Sequence, residues 1–74
     1  MNIVGLNVRR IRESKEWTQE QLAAKCNLLQ WNISRGTLAK IEVQVRRVTD
    51  IEVKTLALVL DIPIEELFEE DPTN

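Results

Sequence analysis

The stretch Ile33-Ser34-Arg35-Gly36-Thr37-Leu38-Ala39-Lys40-Ile41-Glu42 decides the fold. It reads as one short helix with two jobs. Ser34 suits the N-cap, where its hydroxyl accepts from a first-turn N–H that has no helical partner. Ile33 then stands at N′ and Leu38 at N4, the two positions of a hydrophobic staple. Leu38 and Ile41, three residues apart, share a face that can meet a core. Arg35, Gly36, Thr37 and Lys40 are left on the free side and the leading end. A helix anchored along one face, with donors of mixed length at its N-terminal end, suits the major groove of DNA. Its open first-turn N–H groups also suit phosphate.

Upstream, Trp17-Thr18-Gln19-Glu20-Gln21-Leu22-Ala23 starts another helix. Thr18 and Gln21 form a capping box, and Trp17 with Leu22 a second staple. That geometry assigns Trp17 to the core in preference to stacking on bases. Leu22, Cys26 and Leu29 continue an i, i+4, i+7 stripe, which carries the helix to about Leu29 before Gln30-Trp31-Asn32 turns the chain. Trp31 either plugs that turn or lies on the surface near a DNA backbone, and the plug is the preferred reading. Before this, Val4, Val8 and Ile11 form the core stripe of a first helix over Ile3–Ser14. Arg9, Arg10 and Lys15 face solvent there, and Gly5 is a weak point.

Downstream, Thr49 and Glu52 form another capping box and Val48 with Val53 another staple. The helix they begin runs to about Leu60, with Val53, Leu56, Ala57 and Leu60 facing inward. Asp61-Ile62-Pro63 ends it, Asp being able to adopt the left-handed conformation. A last short helix, Ile64–Phe68, closes the base of the core with Leu67 and Phe68. The reading is all-α, a compact bundle of five helices.

Trp17–Ala23 followed by Ile33–Glu42, with a third helix behind, resembles the Cro/CI-type (XRE-type) helix-turn-helix family of DNA-binding regulators. The resemblance runs from about Val4 to Phe68. It implies a five-helix bundle whose second and third helices form the motif, with the third entering the major groove. The common motif has a turn of three or four residues. Asn27–Ile33 is longer, as in a subgroup that usually has Gly where Gln30 stands, and Gly there suits a left-handed C-cap.

The resemblance also assigns roles. Arg12 and Glu42 match an arginine and a glutamate that form a buried or half-buried ion pair and fix the angle of the third helix. The alternative is two unrelated surface charges. Gln19 matches a first-turn glutamine that bonds a phosphate and braces the recognition helix. Arg46 and Arg47 fall in a loop that lies along the sugar-phosphate backbone.

Seventy-four residues allow one small domain. We read 1–68 as the DNA-binding domain and 69–74 as an acidic, frayed tail. The net charge of −2 argues against DNA until its distribution is seen. Residues 1–47 hold nine Lys or Arg and four Asp or Glu, whereas 48–74 hold one and eight, so the two parts carry +5 and −7. Screening acts over roughly 8 Å at physiological salt, so a basic part can still meet phosphate. Two ordinary solvated faces would give the same distribution.

An enzyme is the weakest reading. There is no His, the single Cys26 has no base beside it, and no glycine-rich phosphate loop is present. No cofactor, metal, membrane or small-molecule ligand is expected, and the location expected is cytoplasmic.

The site expected is therefore base reading by Arg35, Gly36, Thr37 and Lys40, phosphate contact by Gln19, Ser34, Arg46 and Arg47, and bracing by Arg12 and Glu42. Gly36 either lets the backbone approach closely or simply weakens the helix. The partners expected are double-stranded DNA and a second copy of the chain. Ile3, Leu6, Ile51, Leu58 and Ile64, apolar but not needed by the core stripes, are candidates for the dimer interface. The rival class is a protein-interaction module, an adaptor or antitoxin-like partner whose acidic part docks a basic protein.

Overall fold

The structure, a computed structural model, describes residues 3–70. Most of the tail, 71–74, and the first two residues of the domain lie outside them. Four α-helices follow in order: α1 (Ile3–Ser14), α2 (Gln19–Leu28), α3 (Arg35–Glu42) and α4 (Asp50–Leu60). A 3-10 helix, Ile64–Phe68, closes the described chain. The fifth helix of the expected bundle is thus a short 3-10 turn that starts after Pro63.

The core is one cluster. Val4, Val8 and Ile11 from α1 meet Leu22, Ala23 and Cys26 from α2, Leu38 and Ile41 from α3, and Val53, Leu56, Ala57 and Leu60 from α4. Ile33 and Leu67 complete it. Two expected members are outside it. Leu29 is 49% exposed and Phe68 53% exposed. Leu29 caps α2 where the chain leaves the helix, so the seven-residue stripe stops one turn short. The 3-10 helix turns Leu67 inward and leaves Phe68 outward, because three residues per turn bring only one of two neighbours to a given face.

Helix starts follow the capping chemistry. Thr18 and Thr49 each accept from the N3 backbone N–H while Gln21 and Glu52 return a bond to the cap N–H. Helix ends follow one rule of a different kind. Glu16, Gln30, Gln44 and Asp61 all have φ between 57° and 68°, and no glycine among the described residues does. In each case the following residue's N–H reaches back across the turn: Trp17 to the Arg12 carbonyl, Trp31 to Cys26, Val45 to Lys40 and Ile62 to Ala57, at 3.0–3.2 Å. This is the Schellman arrangement, made four times without the glycine that normally relieves it. Trp17, Trp31 and Ile62 then pack half-buried on the core, which offsets the left-handed strain just before them. The Trp17 ring also lies under the Lys25 and Lys15 ammonium groups, 4.6 and 5.4 Å from its centre.

Two polar side chains tie the bundle where sequence periodicity gives no hint of it. Asn7 is buried in α1, and its Nδ2 donates to the carbonyls of Leu67 and Glu69 at 2.8 and 2.7 Å. It fastens the 3-10 helix to α1. Asn27 Nδ2 donates to the Ala23 and Ile33 carbonyls at 2.7 and 2.9 Å, holding the end of α2 against the residue before α3's cap.

Gly5 is no weak point. A Cβ built on it would run into the backbone carbonyl of Ile41. Glycine is what lets α1 cross α3 at backbone contact. Gly5→Ala is expected to force the two helices apart and to destabilise the domain by about 1–3 kcal/mol, the usual cost of overpacking. Urea unfolding followed by circular dichroism measures it, and an unchanged midpoint would contradict the close crossing.

Candidate nucleic-acid interface

α3 is short, so tertiary contacts must hold it. Ser34 accepts from the Thr37 N–H at 3.1 Å, as its N-cap position requires, and donates its own hydroxyl to Thr37 Oγ1. Ile33, Leu38 and Ile41 are buried beneath it. At the far end Glu42 is buried with its side chain only 1% exposed. Arg12 meets it in a two-pronged pair, Nε to Oε2 at 2.7 Å and Nη2 to Oε1 at 3.0 Å. Arg12 Nη1 also donates to the Trp17 carbonyl at 2.6 Å, and Gln19 Nε2 donates to Glu42 Oε1 at 3.0 Å. One carboxylate therefore gathers α1, the turn after it, the first residue of α2 and the last of α3. The hydrogen bonds that Arg12 donates to Glu42 hold its guanidinium protonated above its ordinary range, against the burial that opposes charge. No buried side-chain polar atom among the described residues lacks a partner.

The other end of α3 is open. Arg35, Gly36 and Lys40 are exposed and Thr37 is half-buried. The N–H groups of Arg35 and Gly36 precede the first helical hydrogen bond, which runs from Leu38 to the Ser34 carbonyl. Among the described residues neither Arg35 nor Lys40 forms an ion pair with an acidic group. The site residues thus separate into an outward set (Arg35, Gly36, Thr37, Lys40) and a bracing set (Arg12, Gln19, Glu42). Ser34's hydroxyl and one Gln19 amide hydrogen are committed within the chain, leaving each with less to give a phosphate.

Arg46 departs from expectation more clearly. Its Nη1 and Nη2 each donate at 3.0 Å to one oxygen of Glu52, and Nη1 also donates to the Arg47 carbonyl. Glu52 is the capping-box residue of α4, so Arg46 fastens the loop after α3 to the next helix. Arg47 beside it is exposed and forms no ion pair among the described residues. The sequence signal for this was available: Arg46 stands six residues before an acid already fixed at N3.

Among the described residues nothing requires glycine at position 36. Its φ is not positive, and a Cβ there would meet only Ser34 Oγ, at an ordinary 3.9 Å. The thiol of Cys26 is buried and pushed up to about 11 by desolvation, so it stays protonated and unreactive at neutral pH. No cluster of metal-ligating side chains occurs among the described residues, and no helix among them is long and apolar enough to cross a membrane.

A helix held at its C-terminal end, open at its N-terminal end and preceded by a packed partner helix is the arrangement of a helix-turn-helix. A sequence profile of that family matches residues 8–67. The chain belongs to the Cro/CI-type (XRE-type) helix-turn-helix family. A comparison with curated proteins finds no match. Within this DNA-binding, transcription-regulating family, α2 and α3 are the motif helices. Their connection, Leu29 to Ser34, is longer than the usual turn. It is held by the left-handed Gln30 and by Asn27, with no glycine.

Two measurements probe the bracing. Glu42→Leu orphans a buried guanidinium and is expected to cost about 3–5 kcal/mol, whereas the double change Arg12→Met with Glu42→Leu recovers much of that loss. A double-mutant cycle by chemical unfolding reads both, and additive losses would contradict a tight pair. The second is pH. Hydrogen bonds from Arg46 hold the Glu52 carboxyl below its usual range. Its contribution is therefore complete above the unfolded value of about 4.3 and is lost as pH falls through the lower folded value. Thermal unfolding of wild type is expected to weaken more steeply below about pH 4.3 than that of Glu52→Gln.

Proposed function

We propose that this chain is a transcriptional regulator that binds double-stranded DNA sequence-specifically as a homodimer, with α3 in the major groove. The observation that carries this reading is the open leading end of α3, where Arg35 and Lys40 reach solvent with no acid of the described chain on either. Arg35 offers a guanidinium fork to guanine O6 and N7, and Lys40 reaches a guanine or a phosphate. Thr37 accepts from Ser34 and keeps its own proton for a phosphate oxygen, or sets its methyl against thymine. Arg47 and the N–H groups that open α3 contact phosphate. Gln19 adds its remaining amide hydrogen, while Arg46 serves as the clamp that places Arg47.

The homodimer is supported by apolar surface on the side of α4. Ile51 and Leu58 are 76% and 73% exposed. Leu58 and Ile64 line a groove of about 320 Å³ with Lys54, Ala57 and Ile62. Leu6 is exposed on α1, and Ile3, three residues earlier, is half-buried. A pair of domains would meet two half-sites about one helical turn, ~34 Å, apart.

Selection of bound sequences from a random DNA pool tests this directly. A two-fold symmetric motif is expected, and recovery of no motif would favour the interaction module instead. On the selected site Arg35→Ala is expected to cost about 1–3 kcal/mol and relax one position, whereas Arg47→Ala weakens every sequence and lowers the salt slope by about one. In sedimentation the free domain is expected as a dimer at micromolar concentration and Leu58→Asp as a monomer.

A further inference from the structure

The two glycines of this chain stand in opposite situations. Gly5 is required by its own fold, since a Cβ there strikes the Ile41 carbonyl. Gly36 is not required by anything among the described residues. It lies inside α3 with a negative φ, and an added methyl would meet only Ser34 Oγ at van der Waals distance. Glycine is the poorest helix former after proline, and α3 has only eight residues in which to absorb it. The fold would therefore be better served by alanine.

What alanine would add is bulk pointing outward. Gly36 and Lys40 are four apart, so they share one exposed face of α3, and Arg35 flanks that face at the leading end. Removing bulk from an exposed face matters only to something that presses against it.

We infer that Gly36 is a steric specificity determinant: it marks where α3 comes closest to the base edges in the major groove, at a separation that leaves no room for a Cβ. This rests on the DNA-binding reading above. The glycine reads by absence. It sets the depth of the helix in the groove, and with it the reach of Arg35 and Lys40 to their bases.

The test is Gly36→Ala, a change the fold favours, measured beside wild type on the sequence that wild type selects and on random duplex of the same length. A rise in Tm of about 2–8 °C is expected, because alanine fits the native conformation and restricts the unfolded chain. Affinity for the selected sequence is expected to fall about tenfold or more. Affinity for random duplex is expected to stay within about twofold, so that the specificity ratio collapses. Unchanged affinity on the selected sequence overturns the inference. So does an equal loss on both duplexes, which would place Gly36 against the phosphate backbone. Failure of wild type to select any sequence would instead remove the DNA-binding reading itself, and Gly36 with it.

Discussion

The bond between Arg12 and Glu42 is the constraint on which the rest depends. α3 is too short to be stable alone, and its apolar face amounts to Leu38 and Ile41. Two buried side chains set the depth of a helix but hold its direction loosely. The carboxylate at its last residue supplies the direction. It receives the Arg12 fork from α1 and the Gln19 amide from α2, and Arg12 reaches on to the Trp17 carbonyl. Buried charge is worth little as a source of net stability, because desolvation opposes it. Its value here is geometric. Only one placement of α3 satisfies every donor on that carboxylate, so the opposite end projects at a defined angle.

The same division of labour runs through the chain. Backbone closeness between α1 and α3 rests on Gly5, and the crossing brings Arg12 within reach of Glu42. Asn27 holds the long connection that leads into Ser34, so a turn without glycine still delivers α3's cap to a fixed place. Arg46 fastens the other side of α3 to the capping glutamate of α4. The helix offered to solvent is thus tied at both of its flanks and at its own C-terminus. Its remaining polar groups face outward.

Charge follows the geometry. The excess of basic residues in 1–47 is partly spent on internal pairs, since Arg12 and Arg46 are both engaged with glutamates. Among the described residues Arg35, Lys40 and Arg47 form no such pair, so these cations on and just after α3 are open to a polyanion, as are Arg10, Lys15 and Lys25 elsewhere in the region.

Local chemistry wrote the helices into the sequence. Capping boxes at Thr18 and Thr49, the cap at Ser34 and the stripes Val4/Val8/Ile11 and Val53/Leu56/Ala57/Leu60 depend on neighbours within one or two turns, so they are legible residue by residue. So was the outward set on α3, because a helix with one buried face exposes the other. The resemblance, more than any periodicity, pointed to the partnership of Arg12 with Glu42, thirty residues apart. Tertiary structure alone decided the rest. Gly5 looked like a flaw until a crossing helix stood against it. Asn7 looked like an ordinary polar residue until the carbonyls of Leu67 and Glu69, from the far end of the described chain, reached it. The left-handed turn at Asp61 was legible in its residue type, whereas at Glu16 and Gln30 the following tryptophan packs on a core built by distant helices and offsets the strain. Gly5, Asn7 and the packing of the two tryptophans depend on atoms far away along the chain, and a pattern read over a few neighbouring residues carries no record of them.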